Sequence, residues 1–168
     1  LRLLTARPAP IQLSYLGYPA STYLNCMDGW IGDPVLFGPA QERERGPREE
    51  LLRLPRCYLA YQPPADVPDP ERTAPDGRFR FGCFNHSRKL SDRCLDLFAA
   101  ALGAVPGSLL VLKSTTFVEE AERQRIAERL AARGIGPERL ELLEWVFGSH
   151  NHLALYGRMD AALDTQPY

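Results

Sequence analysis

The sequence predicts an α/β fold built on parallel sheets, and three observations carry that prediction. From residue 78 onward, strand-like and helix-like segments alternate three times with short connections. That is the pattern of a parallel sheet whose strands are joined by crossover helices. The run Ser108–Lys113 is almost continuously apolar, as a strand covered on both faces must be. Finally, the stretch Gln62–Gly77 holds five prolines and few apolar anchors. It reads as an extended linker that divides the chain into two zones.

The first zone opens with Arg7-Pro8-Ala9-Pro10, after which Ile11, Leu13 and Tyr15 alternate with Gln12 and Ser14. Period-two alternation predicts a strand. It closes at Gly17-Tyr18-Pro19, where glycine tolerates a positive φ and proline presets its own. A second short strand is predicted at Gly29-Trp30-Ile31, ended by Gly32-Asp33-Pro34. Residues 49–54 read as a short helix or loop running into Pro55, and residues 57–61 as another strand.

In the second zone, Phe79, Phe81 and Cys83 alternate with Arg78, Arg80 and Gly82, predicting a strand over residues 78–84. Asn85–Leu90 follows as a polar loop. Ser91 has the chemistry of a helix N-cap, Asp92 suits the positive helix end, and Leu90 is placed to staple against Leu95. Leu95, Phe98 and Leu102 recur on one helical face, and Gly103 is a candidate stop. After the strand at 108–113, residues 119–133 form a charged helix with Ile126 and Leu130 inward and Gly134 at its end. A third strand at 140–146, a short helix at 150–156 and a fourth strand at 160–164 complete the order.

The composition excludes several functions. With 168 residues, 45% hydrophobic and 24% charged, the chain has an ordinary globular balance. A net charge of −1 provides no field for nucleic acid or anionic membrane. No apolar run approaches the ~20 residues of a membrane helix. The cysteines at 26, 57, 83 and 94 form no CxxC or CxxxC pair. Structural zinc is therefore not expected, and free thiols in a reducing cytoplasm are. GxGxxG, GxxxxGK[ST] and GxSxG are all absent, arguing against a dinucleotide fingerprint, a P-loop and a hydrolase elbow.

Ligands of an open parallel sheet lie outside the carboxyl ends of its strands. The loops predicted there are Asn85–Lys89, Lys113–Thr116, Phe147–His152 and whatever follows Asp164-Thr165. They contain all three histidines and both lysines, in a chain whose other basic residues are all arginines. The chemistry indicated is anion binding. Lys89 lies just before the Ser91 cap, where its ammonium and the helix N–H groups can converge on one phosphate. A solvated loop lysine is the equal alternative. Lys113, ending a buried strand, is expected to pair with a carboxylate. His150 is expected at the surface, and His152 to cap or pack on its short helix.

Taken in order, these segments resemble the family-41 glycosyltransferases, the O-GlcNAc transferase and SPINDLY-like group. The residues that carry the resemblance in the first zone are Arg7-Pro-Ala-Pro-Ile-Gln12, Leu16-Gly-Tyr-Pro19, Met27-Asp28, Asp33-Pro34 and Leu54-Pro55. The second zone continues it through Phe81-Gly-Cys-Phe-Asn85, Lys89-Leu90-Ser91, Val105-Pro106-Gly107-Ser108 and Pro137-Glu138-Arg139-Leu140. His152-Leu-Ala-Leu-Tyr-Gly157 and Leu163-Asp164-Thr165 close it. The resemblance implies a GT-B architecture of two Rossmann-like lobes. Residues 1–61 would end the first lobe, 62–77 form the linker, and 78–168 begin the second, nucleotide-sugar-binding lobe.

The implied reaction is inverting, metal-independent transfer of GlcNAc or a related hexose from a UDP-sugar to Ser/Thr of proteins, with no cofactor. A tetratricopeptide array usually accompanies such a catalytic region. By the resemblance, Lys89 contacts the diphosphate and stabilises charge on departing UDP. His86 and Asn85 reach phosphate or sugar, and His152 lies near the uridine ribose. The backbone at Phe147 meets the uracil edge, while Gly17 and Pro19 line the sugar pocket. The family's proposed base would lie upstream of Arg7, and its glycine- and threonine-rich phosphate loop after Tyr168. The chain is therefore expected to be an internal piece, inactive alone. A non-catalytic sugar-nucleotide-binding or scaffold module of the same fold is the alternative.

Overall fold

A computed structural model describes residues 2–17, 20–44, 49–68 and 76–166. The chain divides into two compact units, Leu1–Gln62 and Pro63–Tyr168.

The first unit starts with a one-turn helix, α1 (Arg2–Thr5), and carries a three-stranded parallel sheet in the order β1-β2-β3. The strands are β1 (Leu13–Ser14), β2 (Gly29–Gly32) and β3 (Glu50–Arg53), with α2 (Pro39–Glu44) between the last two. β2 is central, so its backbone is satisfied on both sides, with Gly29 facing Leu13 on one and Glu50 on the other. Trp30 packs edge-to-face on Phe37, centroids 4.9 Å apart. Gly32 is fixed by the same contact, because a Cβ there would come within 2.5 Å of the Phe37 ring.

Three expectations for this unit are corrected. Residues 50–53 form a strand, not a helix or loop. The run is too short to hold a helix alone, and its backbone completes the ladder on the open side of β2. Residues 57–61 form no strand. The Tyr58 N–H is engaged by Asp33 Oδ2 at 3.0 Å and the Tyr58 carbonyl accepts from Tyr15 Oη at 2.6 Å, so neither is left for a ladder. The alternation at 11–15 yields only the two residues of β1. Gln12, not its apolar neighbours, is the buried residue, because its amide donates to the Leu4 and Cys26 carbonyls at 3.1 and 2.9 Å.

Asp33 works as a local organiser. Its carboxylate accepts from Val35 N, Leu36 N and Tyr58 N at 2.8–3.0 Å. These N–H groups, Leu36 first, hold its pKa below the usual carboxylate value.

The second unit is the predicted parallel sheet, with strands β4 (Arg80–Cys83), β5 (Leu109–Lys113), β6 (Leu140–Leu143) and β7 (Ala161–Ala162) in the order β6-β5-β4-β7. All three pairings are parallel. β5 is buried at every residue, as its apolar run requires. The helices are α3 (Asp92–Ala104), α4 (Glu120–Ala131) and α5 (Ser149–Ala154). Ser91 caps α3, its Oγ accepting from Cys94 N at 3.2 Å. Gly103 lies inside α3 and does not stop it. Leu95, Phe98 and Leu102 of α3 and Ile126 and Leu130 of α4 join Phe81, Leu110 and Leu112 in one core. Each such fully buried side chain contributes roughly 1.5–3 kcal/mol relative to exposure.

Arg139 ties the end of the sheet opposite the candidate site. Its guanidinium donates to Leu102 O at 2.8 Å, Ser108 O at 2.9 Å and Ser108 Oγ at 2.9 Å. It thereby joins the end of α3 to the entries of β5 and β6. Arg139→Ala is expected to lower unfolding free energy by about 1–3 kcal/mol through stranded acceptors, read by denaturant melts. An unchanged midpoint would mean that water replaces the guanidinium without loss.

Candidate functional site at the carboxyl edge of the second sheet

The four parallel strands end on one edge, and their exit loops gather there. β4 leads through Phe84 and Asn85 into a 3-10 turn, Ser87–Lys89. His86 caps this turn, its Nδ1 accepting from Arg88 N at 3.2 Å. In a neutral His86 the proton is then on Nε2. Lys89 ends the turn, with its N–H on His86 O at 2.9 Å and its carbonyl accepting from Ser91 N at 2.9 Å. Its backbone is fixed two residues before the α3 cap, and its side chain is exposed.

Asn85 reaches across the edge. Its Nδ2 donates to Asp164 Oδ1 at 2.8 Å, and the same oxygen accepts from Thr165 N at 2.8 Å. The β4 and β7 exits are thus joined. Ser91 adds a second link, donating from Oγ to Gln166 O at 3.1 Å. The β4 and β5 exits are joined by three hydroxyls. Ser87 Oγ lies 2.8 Å from Thr116 Oγ1, which lies 2.9 Å from Ser114 Oγ, and Ser114 Oγ accepts from Ser87 N at 3.2 Å. Lys89 therefore stands on a loop held to both neighbouring exits.

Lys113 corrects an expectation. It is 3% exposed, yet among the described residues no carboxylate pairs with it. Its ammonium instead lies 4.7 Å from the Trp145 ring centroid and 5.5 Å from that of Phe84. Phe84 and Trp145 follow the ends of the strands flanking β5, so parallel register brings their rings to the lysine at its tip. Burial lowers the Lys113 pKa.

His152, on α5, packs into the same group. Its ring centroid lies 5.6 Å from Tyr156, 5.9 Å from Phe84 and 6.5 Å from Trp145, nearly parallel to the last at 18°. His152 Nδ1 is buried without a hydrogen-bond partner. Burial, and secondarily the Lys113 charge, lower its pKa, so the imidazole is neutral at pH 7. Packing, one of the two roles expected for His152, is the one observed. His150 is exposed as expected, its Nδ1 2.7 Å from Asp66 O.

Phe147 is 90% exposed, and its carbonyl accepts from Asn151 Nδ2 at 2.9 Å. Gly148 follows at φ +85°, turning the chain into α5. Gly17 belongs to the first unit, exposed at φ +122°; Pro19 lies outside the described residues. The edge thus brings Asn85, His86 and Lys89 onto one pinned loop, and seats His152 in a separate aromatic group. Sequence reasoning missed Phe84, Trp145 and Tyr156, and the Ser87–Ser114–Thr116 hydroxyls. Phe84 and Trp145 stand at the carboxyl ends of the strands predicted at 78–84 and 140–146, but only the packed sheet makes those strands the neighbours of the lysine-ended one.

Among the described residues no group of three or more His, Cys, Asp or Glu forms a metal cluster, and no helix is long and apolar enough to cross a membrane.

No protein-family profile matches the sequence. Curated relatives do. The chain is 36% identical over 170 residues to the probable UDP-N-acetylglucosamine–peptide N-acetylglucosaminyltransferase SPINDLY of Arabidopsis thaliana, covering 100% of this chain and 18% of that protein. The SPINDLY protein of Solanum lycopersicum matches at 36% over 171 residues, with the same coverage. The probable transferase SEC of Arabidopsis thaliana is 30% identical over 169 residues, covering 95% of this chain and 17% of its own length. Among solved structures, a lysine-to-methionine mutant of the Thermobaculum terrenum O-GlcNAc transferase superposes with a TM-score of 0.84 at 37% identity. That match covers 98% of this chain and 31% of the solved one. The chain therefore spans about a fifth of the length of the curated relatives it matches.

Proposed function

This chain belongs to the O-GlcNAc transferase and SPINDLY family of glycosyltransferases, and on that premise we propose that it contributes the nucleotide-sugar edge of a protein glycosyltransferase. The reaction proposed is inverting, metal-independent transfer of GlcNAc, or a related hexose, from a UDP-sugar to Ser/Thr of a protein acceptor. The observation that carries this reading is Lys89. It is a cation with a fixed backbone, at the carboxyl edge of a parallel sheet, two residues before the cap of a 13-residue helix.

The division of labour follows from chemistry. Glycosyl transfer leaves negative charge on the diphosphate as the anomeric bond breaks. Lys89 and the α3 N-terminus supply positive potential where that charge grows. Asn85 holds the loop in place through Asp164, so that the ammonium needs little reorganisation. His86 lies beside it as a further hydrogen-bonding group for phosphate or sugar. We assign His152 and the Phe147 backbone to the nucleoside, and Gly17 and Pro19 to the sugar pocket. Residues 1–61 are proposed as part of a first lobe, 62–77 as linker and 78–168 as part of a second, within a longer catalytic region. The four free cysteines support a reducing, cytoplasmic setting.

The test is a transfer assay with the full-length protein, UDP-GlcNAc and peptide acceptors, with and without EDTA. The expected result is a β-linked product, identified by the anomeric proton coupling, formed equally well in chelator. Loss of transfer in EDTA would overturn metal independence. Donor binding without any transfer would favour the non-catalytic module.

A further inference from the structure

The geometry points to Lys113 as a positioning residue for His152: its buried ammonium, held against the Trp145 and Phe84 faces, fixes the rings on which the imidazole packs. The idea rests on the proposed role of His152 toward the nucleoside, but its first test does not need a nucleotide.

Three observations combine. Lys113 ends β5, an interior strand of the sheet, and is 3% exposed, a costly place for a cation with no carboxylate partner among the described residues. What it has instead are two aromatic faces, at 4.7 and 5.5 Å. An ammonium in such a position is attracted by the ring quadrupoles, more strongly where water is excluded. Phe84 and Trp145 are also the rings that pack against His152, at 5.9 and 6.5 Å. One cation therefore ties together the exits of β4 and β6 with α5, which carries the histidine. Trp145 remains 60% exposed, so the ammonium rather than surrounding packing on both sides sets where this wall of the histidine's surroundings stands.

The charge has a second consequence. Among the described residues, Lys113 from β5 is the charge that acts on His152, Tyr156 from the turn after α5 packs on it, and Cys83 of β4 lies beside Tyr156. Burial raises the Tyr156 and Cys83 pKa values, so both are neutral at pH 7. Lys113 is the charge of the three, and it disfavours protonation of His152. A neutral imidazole keeps one nitrogen that can accept a hydrogen bond from a ribose hydroxyl. An imidazolium only donates.

The experiment uses the full-length protein and the variants Lys113→Arg, Lys113→Met and Trp145→Leu. The rate at which diethyl pyrocarbonate modifies His152 is followed against pH by peptide mass spectrometry, because only the neutral imidazole reacts. UDP affinity is measured in parallel by calorimetry. In the wild type the modification midpoint is expected below 6.5, the ordinary histidine value. Lys113→Met removes the neighbouring positive charge and raises the midpoint. Trp145→Leu, at an already exposed side chain, raises it by admitting water. Lys113→Arg, which keeps a cation over the rings, leaves it near wild type.

UDP affinity is expected to fall about tenfold in Lys113→Met, more steeply at pH 6 than at pH 8, and to recover in Lys113→Arg. An unmoved midpoint in both Lys113→Met and Trp145→Leu overturns the inference. So does an equal shift in Lys113→Arg and Lys113→Met, since charge is then not the cause. If the wild type fails to bind UDP, the nucleoside assignment fails, while the modification profiles still decide the Lys113–His152 relation.

Discussion

Replacing Lys89 by alanine in the full-length protein is expected to lower kcat by about 100-fold or more while changing stability by no more than about 0.5 kcal/mol. The side chain is exposed and lies outside the core, so truncating it opens no cavity. Its backbone bonds, Lys89 N to His86 O and Ser91 N to Lys89 O, do not depend on the side chain. The turn should therefore persist. What disappears is a positive charge where the diphosphate becomes more negative as the sugar departs. An interaction that strengthens on the way to the transition state appears mainly in kcat, whereas uniform binding appears in KM. The proposal thus requires the larger part of the loss in kcat. Lys89→Arg is expected to fall between, since it keeps the charge but spreads it over a larger, planar group. Steady-state kinetics against UDP-sugar, paired with a thermal melt, checks both halves. Near-normal turnover in the alanine variant would remove Lys89 from the mechanism.

The second large effect is expected in the strand that delivers this loop. Gly82 lies in the middle of β4, and a Cβ built on it would sit 1.3 Å from Met159 Sδ and 2.6 Å from Met159 Cγ. The thioether occupies the space a side chain would need. Gly82→Val is expected to destabilise the second unit by about 3 kcal/mol, the upper range for overpacking. The strain would not remain local. Asp160, next to Met159, donates from its N–H to Arg80 O at 2.9 Å and accepts from Arg80 N at 2.7 Å. These bonds lie at the start of the β4–β7 pairing, which runs to the Leu163 N–H on Gly82 O, one residue before Asp164 and its side-chain bond to Asn85. Moving Met159 outward should loosen that ladder and the Lys89 loop with it. A denaturant melt of the full-length protein should show the shift, and Gly82→Val/Met159→Ala should recover part of it. A Gly82→Val protein as stable as wild type would show that Met159 simply moves aside.

The resemblance to family-41 transferases was legible because it lies in an ordered series of short segments. The relatives and the solved transferase structure bear it out across the chain. The α/β class was legible from residue chemistry. The run at 108–113 has one reading, a covered strand, and Ser91 before an apolar period has another, a capped helix; both are observed. The failures came where residues had to find partners far away in sequence. Residues 50–53 carry a weak local preference and became a strand only because β2 offered an open side. Residues 57–61 look strand-like but gave Tyr58 N–H to Asp33, 25 residues earlier. Gln12 took the buried position in the first strand by bonding carbonyls that local alternation does not reveal.

The sequence by itself determined the parallel sheet of the second unit, the capped helix α3 and the edge on which the lysines and histidines collect. Hydrophobic period and cap chemistry act over a few residues, and such signals are written locally. Only the tertiary structure decided what those side chains do there. Lys113 is held by Phe84 and Trp145 rather than a carboxylate, because parallel register sets the exits of adjacent strands side by side. Asn85 is held by Asp164, 79 residues onward, for the same reason. A partner's identity depends on which strands become neighbours, and strand order is a property of the packed sheet rather than of any segment within it.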